Sequence, residues 1–244
     1  MNITQQTVLV TGGATGIGKA LARRLLTDGN KVLVCGRRSD ALEQAARELP
    51  GLITYQCDVA NSRQRSALAK RLNEKYPELS VLVNNAGIQR RLDLNAAPFD
   101  MSGLAREVEI NLIAPIALTQ ELLPQLRRQT RALIVNISSG LAFCPLADTP
   151  VYCATKAAIH SYTLSLRYQL RSTAIRVVEL IPPIVETDLD QAQARAEEGP
   201  PAISPEVFAS EALDRLGAGE DEIAVGLAQG LRQQREAMFS RINP

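Results

Sequence analysis

The chain has 244 residues, with 27 Lys and Arg against 26 Asp and Glu and a formal net charge of +1. That length suits one α/β domain with a sizeable core, and the charge balance excludes an electrostatic case for nucleic acid or an anionic membrane as partner. Four scattered cysteines (Cys35, Cys57, Cys144, Cys153) form no CxxC pair; they read as small buried hydrophobes of a reducing compartment, and no metal site is expected. There is no charged leader with an apolar core and no apolar run of about 18 residues, so a cytoplasmic protein is expected.

Taken in chain order, TVLVTGG (7–13) is a β-branched run that breaks into glycines. GIGKALARRLLTDG (16–29) follows as a helix with Ile17, Leu21 and Leu25 on one face. KVLVCG (31–36) is a second strand, 39–49 a helix, LITYQCD (52–58) a strand and 61–75 a helix. SVLVNNAG (80–87) precedes a long helical region to about 129, and ALIVNISS (132–139) precedes a helix over 152–171. AIRVVELI (174–181), a helix near 204–217 and EIAVG (222–226) complete the alternation. Seven near-continuous apolar strands separated by helices predict a parallel sheet covered on both faces, with right-handed crossovers: a doubly wound, Rossmann-type α/β fold. No repeat or linker divides it, so 1–244 reads as one domain. Its cofactor half covers about 1–130 and its catalytic and substrate half about 131–244, with a polar lid over about 187–206.

In such a sheet ligands bind beyond the carboxyl ends of the strands. At the first end, TGGATGIG (11–18) places Gly12, Gly16 and Gly18 between strand and helix, where glycine permits a tight turn and close approach of a pyrophosphate to a helix N-terminus. At the second, VCGRRSD has Gly36 where an NAD site presents a carboxylate, followed by Arg37 and Arg38. Guanidinium groups bind a ribose 2′-phosphate, so NADP(H) is expected over NAD(H), with NAD(H) possible. Tyr152 lies four residues before Lys156, on one face of the same helix.

These motifs, with Asp58 in CDV, NNAG (84–87), Asn111 in INLIAP and Ser139 in NISSG, occur in the order and spacing of the short-chain dehydrogenase/reductase family, which the chain resembles over essentially its whole length. NNAGIQR, SSGLAF and YCATKAAIHSYTLSLRYQLR are similar, more narrowly, to a bacterial subgroup sometimes associated with lipoteichoic-acid D-alanylation operons, an association that assigns no substrate. The resemblance implies hydride transfer between the nicotinamide and a carbonyl or secondary alcohol, with Tyr152 as general acid/base. A cation about 4 Å from a phenolate contributes roughly 4 kcal/mol at an effective dielectric near 20, which lowers the phenol pKa by about two or three. Ser139 is implied to hydrogen-bond the reacting oxygen, and Ser138 is rejected because successive strand residues face opposite ways. Lys156 is implied to hold the nicotinamide ribose, and Asn111 a helix carbonyl and water for a proton relay.

The implied cofactor contacts add Thr15 and Ile17 in the glycine-rich turn, Asp58 at the adenine amino group with Val59 beside it, and Asn85, Ala86 and Gly87 at the fourth strand end. Pro182, Val185 and Thr187 follow the sixth strand; Pro183 stands where the family has glycine, and Thr15 supplies no basic group. His160, the only histidine, reads as a packing or interface residue. Ile159, Leu166 and Leu170 form a second apolar stripe, and the resemblance implies that it pairs with the equivalent helix of another subunit, so a homodimer or homotetramer is expected. Leu141, Phe143 and Leu146 are candidate walls for a modest, partly apolar substrate. A non-catalytic NADP-binding regulator, or an epimerase or dehydratase of the same fold, are the alternatives.

Overall fold

The computed structural model describes residues 3–95, 100–187, 189 and 201–243. Strands β1 (Thr7–Thr11), β2 (Lys31–Gly36), β3 (Ile53–Gln56), β4 (Leu79–Asn84), β5 (Ala132–Ile137), β6 (Ile175–Ile181) and β7 (Glu222–Ala224) form one sheet in the order β3-β2-β1-β4-β5-β6-β7. Every pairing is parallel. The helices between them are α1 (Gly16–Thr27), α2 (Ser39–Glu48), α3 (Ser62–Lys75), α4 (Met101–Val108), α5 (Ala114–Leu126), α6 (Pro150–Leu170) and α7 (Pro205–Gly217). Strand order reverses between β1 and β4, and the crevice beyond their carboxyl ends is where this architecture binds ligands.

The apolar strands are continuous because both faces are covered. Val8 and Val10 point into a core shared with Leu21, Leu25, Leu42, Phe208 and Ala212 of α1, α2 and α7. Leu9, between them, points into the opposite core with Leu68, Leu72, Leu118 and Leu122 of α3 and α5. The period of two along β1 thus feeds two separate cores.

Three features differ from the sequence reading. The long helix before β5 is interrupted by a wide π turn, Glu109–Ile113, between α4 and α5. Pro115 has no N–H to offer the Asn111 carbonyl one turn back, so the α pattern cannot close there. A C-terminal segment unforeseen in the sequence, α8 (Ala228–Gln234), a 3-10 turn (Arg235–Met238) and α9 (Phe239–Ile242), packs beyond β7. The stripe of Ile159, Leu166 and Leu170 is not an exposed subunit face; all three are buried within the chain. On α6 the exposed large apolar side chains are instead Leu164 and Tyr168, 44% and 66% exposed. Residues 188 and 190–200 of the expected lid lie outside the described residues, while a parallel bridge joins Val185 to Ile203 on either side.

Among the described residues no helix is long and apolar enough to cross a membrane. All four cysteines are free and buried, as their scattered spacing suggested.

Phe208 is completely buried where α7 meets the first core. Its replacement by alanine leaves a cavity worth about 3–5 kcal/mol. Urea unfolding of Phe208→Ala is expected to show that loss, and an unchanged midpoint would contradict the packing.

Candidate active site

The groove begins at the turn after β1. Gly12 and Gly16 have φ of +65° and +51°, a region L side chains rarely adopt. At Gly18 the limit is space: a Cβ there would stand 2.4 Å from the Gly12 carbonyl oxygen. Thr15 is the N-cap of α1, yet its side chain makes no capping hydrogen bond. The first α-type bond of this helix runs from Lys19 N–H to the Thr15 carbonyl, so the earlier N–H groups remain for an anion. Across the crevice, Thr11 Oγ1 accepts the N–H groups of both Asn85 and Ala86 at 3.0 Å. The Asn85 amide donates back to the Thr11 carbonyl at 2.9 Å. One threonine therefore fixes the β1 and β4 ends together.

The cavity has a volume of about 1360 Å³, above the usual range for a single small ligand and sufficient for a dinucleotide with a substrate. Thr15, Ile17, Arg37, Arg38, Asp58, Val59, Asn85, Ala86, Gly87, Pro182 and Thr187 all border it, with the three turn glycines. Arg37 and Arg38 are exposed at the β2 end. A smaller polar cavity of about 660 Å³ adjoins it and shares Arg37 and Asp58. Asp58 accepts the Ala60 N–H at 3.1 Å with Oδ1 and pairs with Arg106 through Oδ2, which leaves acceptor capacity on both oxygens. Asn61, rather than Asp58, caps α3. The Val59 carbonyl is held by the buried Arg65 guanidinium at 2.5 Å. Beneath the groove, burial pushes the Cys57 thiol up to about 11, with the Asp58 carboxylate adding to the effect. Burial pushes Cys35 up as well. Neither is a thiolate near neutral pH.

Ser139, Tyr152 and Lys156 all border the same groove. Ser139 follows β5 and opens a single 3-10 turn (Gly140–Ala142), its Oγ accepting the Leu141 N–H at 3.1 Å. Tyr152 and Lys156 are both 5% exposed on the first turns of α6. Lys156 Nζ stands 5.5 Å from the centre of the Tyr152 ring and donates to the Ile137 carbonyl at 2.9 Å. Ser138 also borders the cavity, against the expectation from alternation, although the backbone at Ser139 is still extended. Its Oγ is buried without a hydrogen-bond partner among the described residues.

Two of the expected residues are not among those that line the cavity. Asn111 does not border the groove; its Oδ1 accepts the Ile88 N–H at 2.9 Å, and its Nδ2 donates to the Ile88 carbonyl and to Thr155 Oγ1. It holds the loop after β4 against α6. The Val185 side chain is likewise withdrawn, fully buried in the first core. The peptide groups either side of Val185 make the bridge, Glu186 N–H to the Ile203 carbonyl and Ile203 N–H to the Ile184 carbonyl. Its own N–H and C=O then face away from Ile203.

Sequence reasoning missed the far wall. Leu231, Gln234, Met238, Arg241 and Ile242 of the C-terminal segment border the cavity with Leu141 and Leu146. Asn243 fastens that segment, accepting the Ala147 N–H at 2.6 Å and donating to the Pro145 carbonyl at 3.1 Å. Phe143, a candidate wall, is instead buried against Ile181, Ala224 and Ala228. Arg91 borders the mouth and pairs with Asp148 at 3.3 Å. A short, irregular C-terminal segment carries little periodic signal, so only its apolar residues could have pointed to it.

The free helix terminus, the glycine turn and the paired arginines suit a phosphorylated dinucleotide. The family model for short chain dehydrogenases matches residues 6–198. The uncharacterized oxidoreductase DltE of Bacillus subtilis (strain 168) is 46% identical over 244 residues, covering 99% of this chain and 96% of that protein. The NADP-dependent 3-hydroxy acid dehydrogenase YdfG of Salmonella typhi is 35% identical over 179 residues, 73% of this chain and 72% of its own. A short chain dehydrogenase from Burkholderia cenocepacia J2315, crystallised with NADP, superposes with a TM-score of 0.85 at 26% identity over 99% of both chains.

The Gly18 approach supplies a test. Because a methyl there meets the backbone of Gly12, Gly18→Ala is expected to weaken NADPH binding at least about tenfold, or about 1.4 kcal/mol. Fluorescence titration measures this, and unchanged affinity would show that the turn does not carry the phosphates.

Proposed function

Because this chain belongs to the short chain dehydrogenase family, we propose that it is an NADP(H)-dependent oxidoreductase with Tyr152 as its general acid/base, acting on a carbonyl or secondary alcohol. The observation that carries the proposal is that Tyr152, Lys156 and Ser139 border the same groove as the glycine-rich turn. When bound, the nicotinamide supplies or accepts the hydride.

This chain's residues supply the rest. In the reducing direction Tyr152 donates its phenolic proton to the carbonyl oxygen, and in the oxidising direction it removes the proton from the alcohol. Lys156 favours the phenolate through its positive charge and holds the nicotinamide ribose. The Ser139 hydroxyl donates to the reacting oxygen as charge develops there. Asn111 acts as a positioning residue, and its backbone carbonyl, which Pro115 cannot pair, accepts a water that relays protons to Lys156.

NADP(H) is favoured over NAD(H) by Arg37 and Arg38 at the β2 end, where no carboxylate repels a 2′-phosphate. The YdfG relative is named as NADP-dependent. Asp58, already bonded to Ala60 and Arg106, borders the adenine. Val185 meets the carboxamide through its own N–H and C=O, and Thr187, beside Gly16, meets the phosphates. The substrate is a modest, partly apolar ketone, aldehyde or secondary alcohol, because Leu141, Leu146 and Leu231 border the cavity. The chain forms a homodimer or homotetramer, with the exposed Leu164 and Tyr168 of α6 in the contact.

The test follows NADPH absorbance against a panel of carbonyl compounds that includes 3-oxo acids. Tyr152→Phe is expected to lower kcat by at least about 10³-fold while leaving NADPH binding within about twofold. Arg37→Ala/Arg38→Ala is expected to shift the NADPH to NADH ratio of kcat/KM towards NADH. A fully active phenylalanine variant, or a wild-type preference for NADH, overturns the corresponding assignment. Sedimentation equilibrium is expected to give two or four times the chain mass, and a single-chain mass rejects the assembly.

A further inference from the structure

Away from the groove, His160 of α6, Glu179 of β6 and Glu222 of β7 converge. One donor atom from each lies within 4.8 Å of the other two. Glu179 and Glu222 stand opposite each other across the parallel strands, so their side chains leave the same face of the sheet. His160 Nδ1 is 2.8 Å from Glu179 Oε2. Glu179 is completely buried, and its Oε1 has no hydrogen-bond partner among the described residues. A buried carboxylate oxygen left bare is costly, and a second carboxylate beside it adds repulsion.

The surrounding charges relieve this only in part. Arg232 of α8 holds Glu222 through Oε1. Arg167 of α6 spends its guanidinium on the Val177 and Asp221 carbonyls. The Phe143 ring packs edge-on against His160 at 4.6 Å between centroids.

We infer that His160, Glu179 and Glu222 form a binding site for one divalent transition-metal ion of the zinc type. Three atoms no more than 4.8 Å apart share a point within about 2.8 Å of each (the edge divided by √3), and ordinary side-chain rotation covers the remaining step to zinc distances of about 2.0–2.2 Å. Two carboxylates and a neutral imidazole balance the charge of such an ion, and water completes a tetrahedral shell. The imidazole selects zinc or cobalt over magnesium and calcium, which favour all-oxygen shells. The ion has a path in, because the His160 and Glu222 side chains are 17% and 19% exposed. Arg232, whose side chain is 42% exposed, withdraws from Glu222 into solvent as the ion arrives. Once bound, the ion ties α6, eight residues beyond Tyr152, to the last two strands.

The test uses the untagged full-length chain, dialysed to equilibrium against Co²⁺ and, separately, Zn²⁺. The expected result is one ion per chain, with visible cobalt bands lacking thiolate charge transfer and a Zn²⁺-dependent rise in Tm. His160→Ala and Glu222→Gln, both at partly exposed positions, are each expected to weaken binding roughly tenfold or more and to abolish the rise in Tm. Glu179→Gln is a third variant, read only if its circular dichroism matches wild type. No saturable binding, binding unchanged in the His160 and Glu222 variants, or a cobalt spectrum with thiolate charge transfer would each overturn the proposal. None of these readouts depends on turnover, so the site stands or falls separately from the proposed activity.

Discussion

The bond from Lys156 Nζ to the Ile137 carbonyl is the constraint on which the rest of the site depends. An ammonium that is 5% exposed must be given polar partners, because burying a charge without them is prohibitive. A strand-end carbonyl satisfies part of that need and draws the first turns of α6 down onto the end of β5. Ser139 lies two residues beyond that carbonyl, and Tyr152 lies one helical turn before the lysine. One hydrogen bond therefore sets the register between the strand that carries the hydroxyl and the helix that carries the phenol.

A buried polar ladder supports that register from below. Asn84 and Asn136 stand opposite each other on β4 and β5. The Asn84 amide donates to Asn136 Oδ1 at 2.8 Å and to Thr119 Oγ1 at 3.1 Å, and the Asn136 amide donates to Thr163 Oγ1 at 2.9 Å. These bonds cross from α5 through two strands to α6 in a core where apolar packing alone would allow helices to slide. Directional bonds between buried groups resist sliding, since each lost partner leaves a polar atom dry. The site thus rests on a sheet whose ends are joined by side-chain amides as well as by backbone.

The strands were legible because their residues are apolar on both faces and bounded by glycine or polar residues, as in TVLVTGG and KVLVCG. The glycine turn and the Tyr152/Lys156 pair were legible because local spacing fixes them on a strand end or a helix face, and Ser139 was legible through the family resemblance. What depended on a distant partner was not. The Asp58 carboxylate meets Arg106, which lies 48 residues away. The stripe on α6 was misread because a helix lying against a sheet buries more than one row, so apolar spacing alone cannot distinguish an internal face from an external one. Asn111 was recognised by its motif, but its inward role follows from a π turn that depends on Pro115. His160, Glu179 and Glu222 come from three separate elements, and no linear spacing reports their convergence.

The far wall of the cavity comes from the C-terminal segment and is pinned by Asn243 to the loop before α6. Translation therefore delivers the two sides of the pocket at different moments. The turn that would cradle phosphates leaves the ribosome more than two hundred residues before Leu231, Met238 and Ile242. A nascent chain can acquire its nucleotide cradle early, yet it has no enclosure for a reactant until those late residues fold back across the opening.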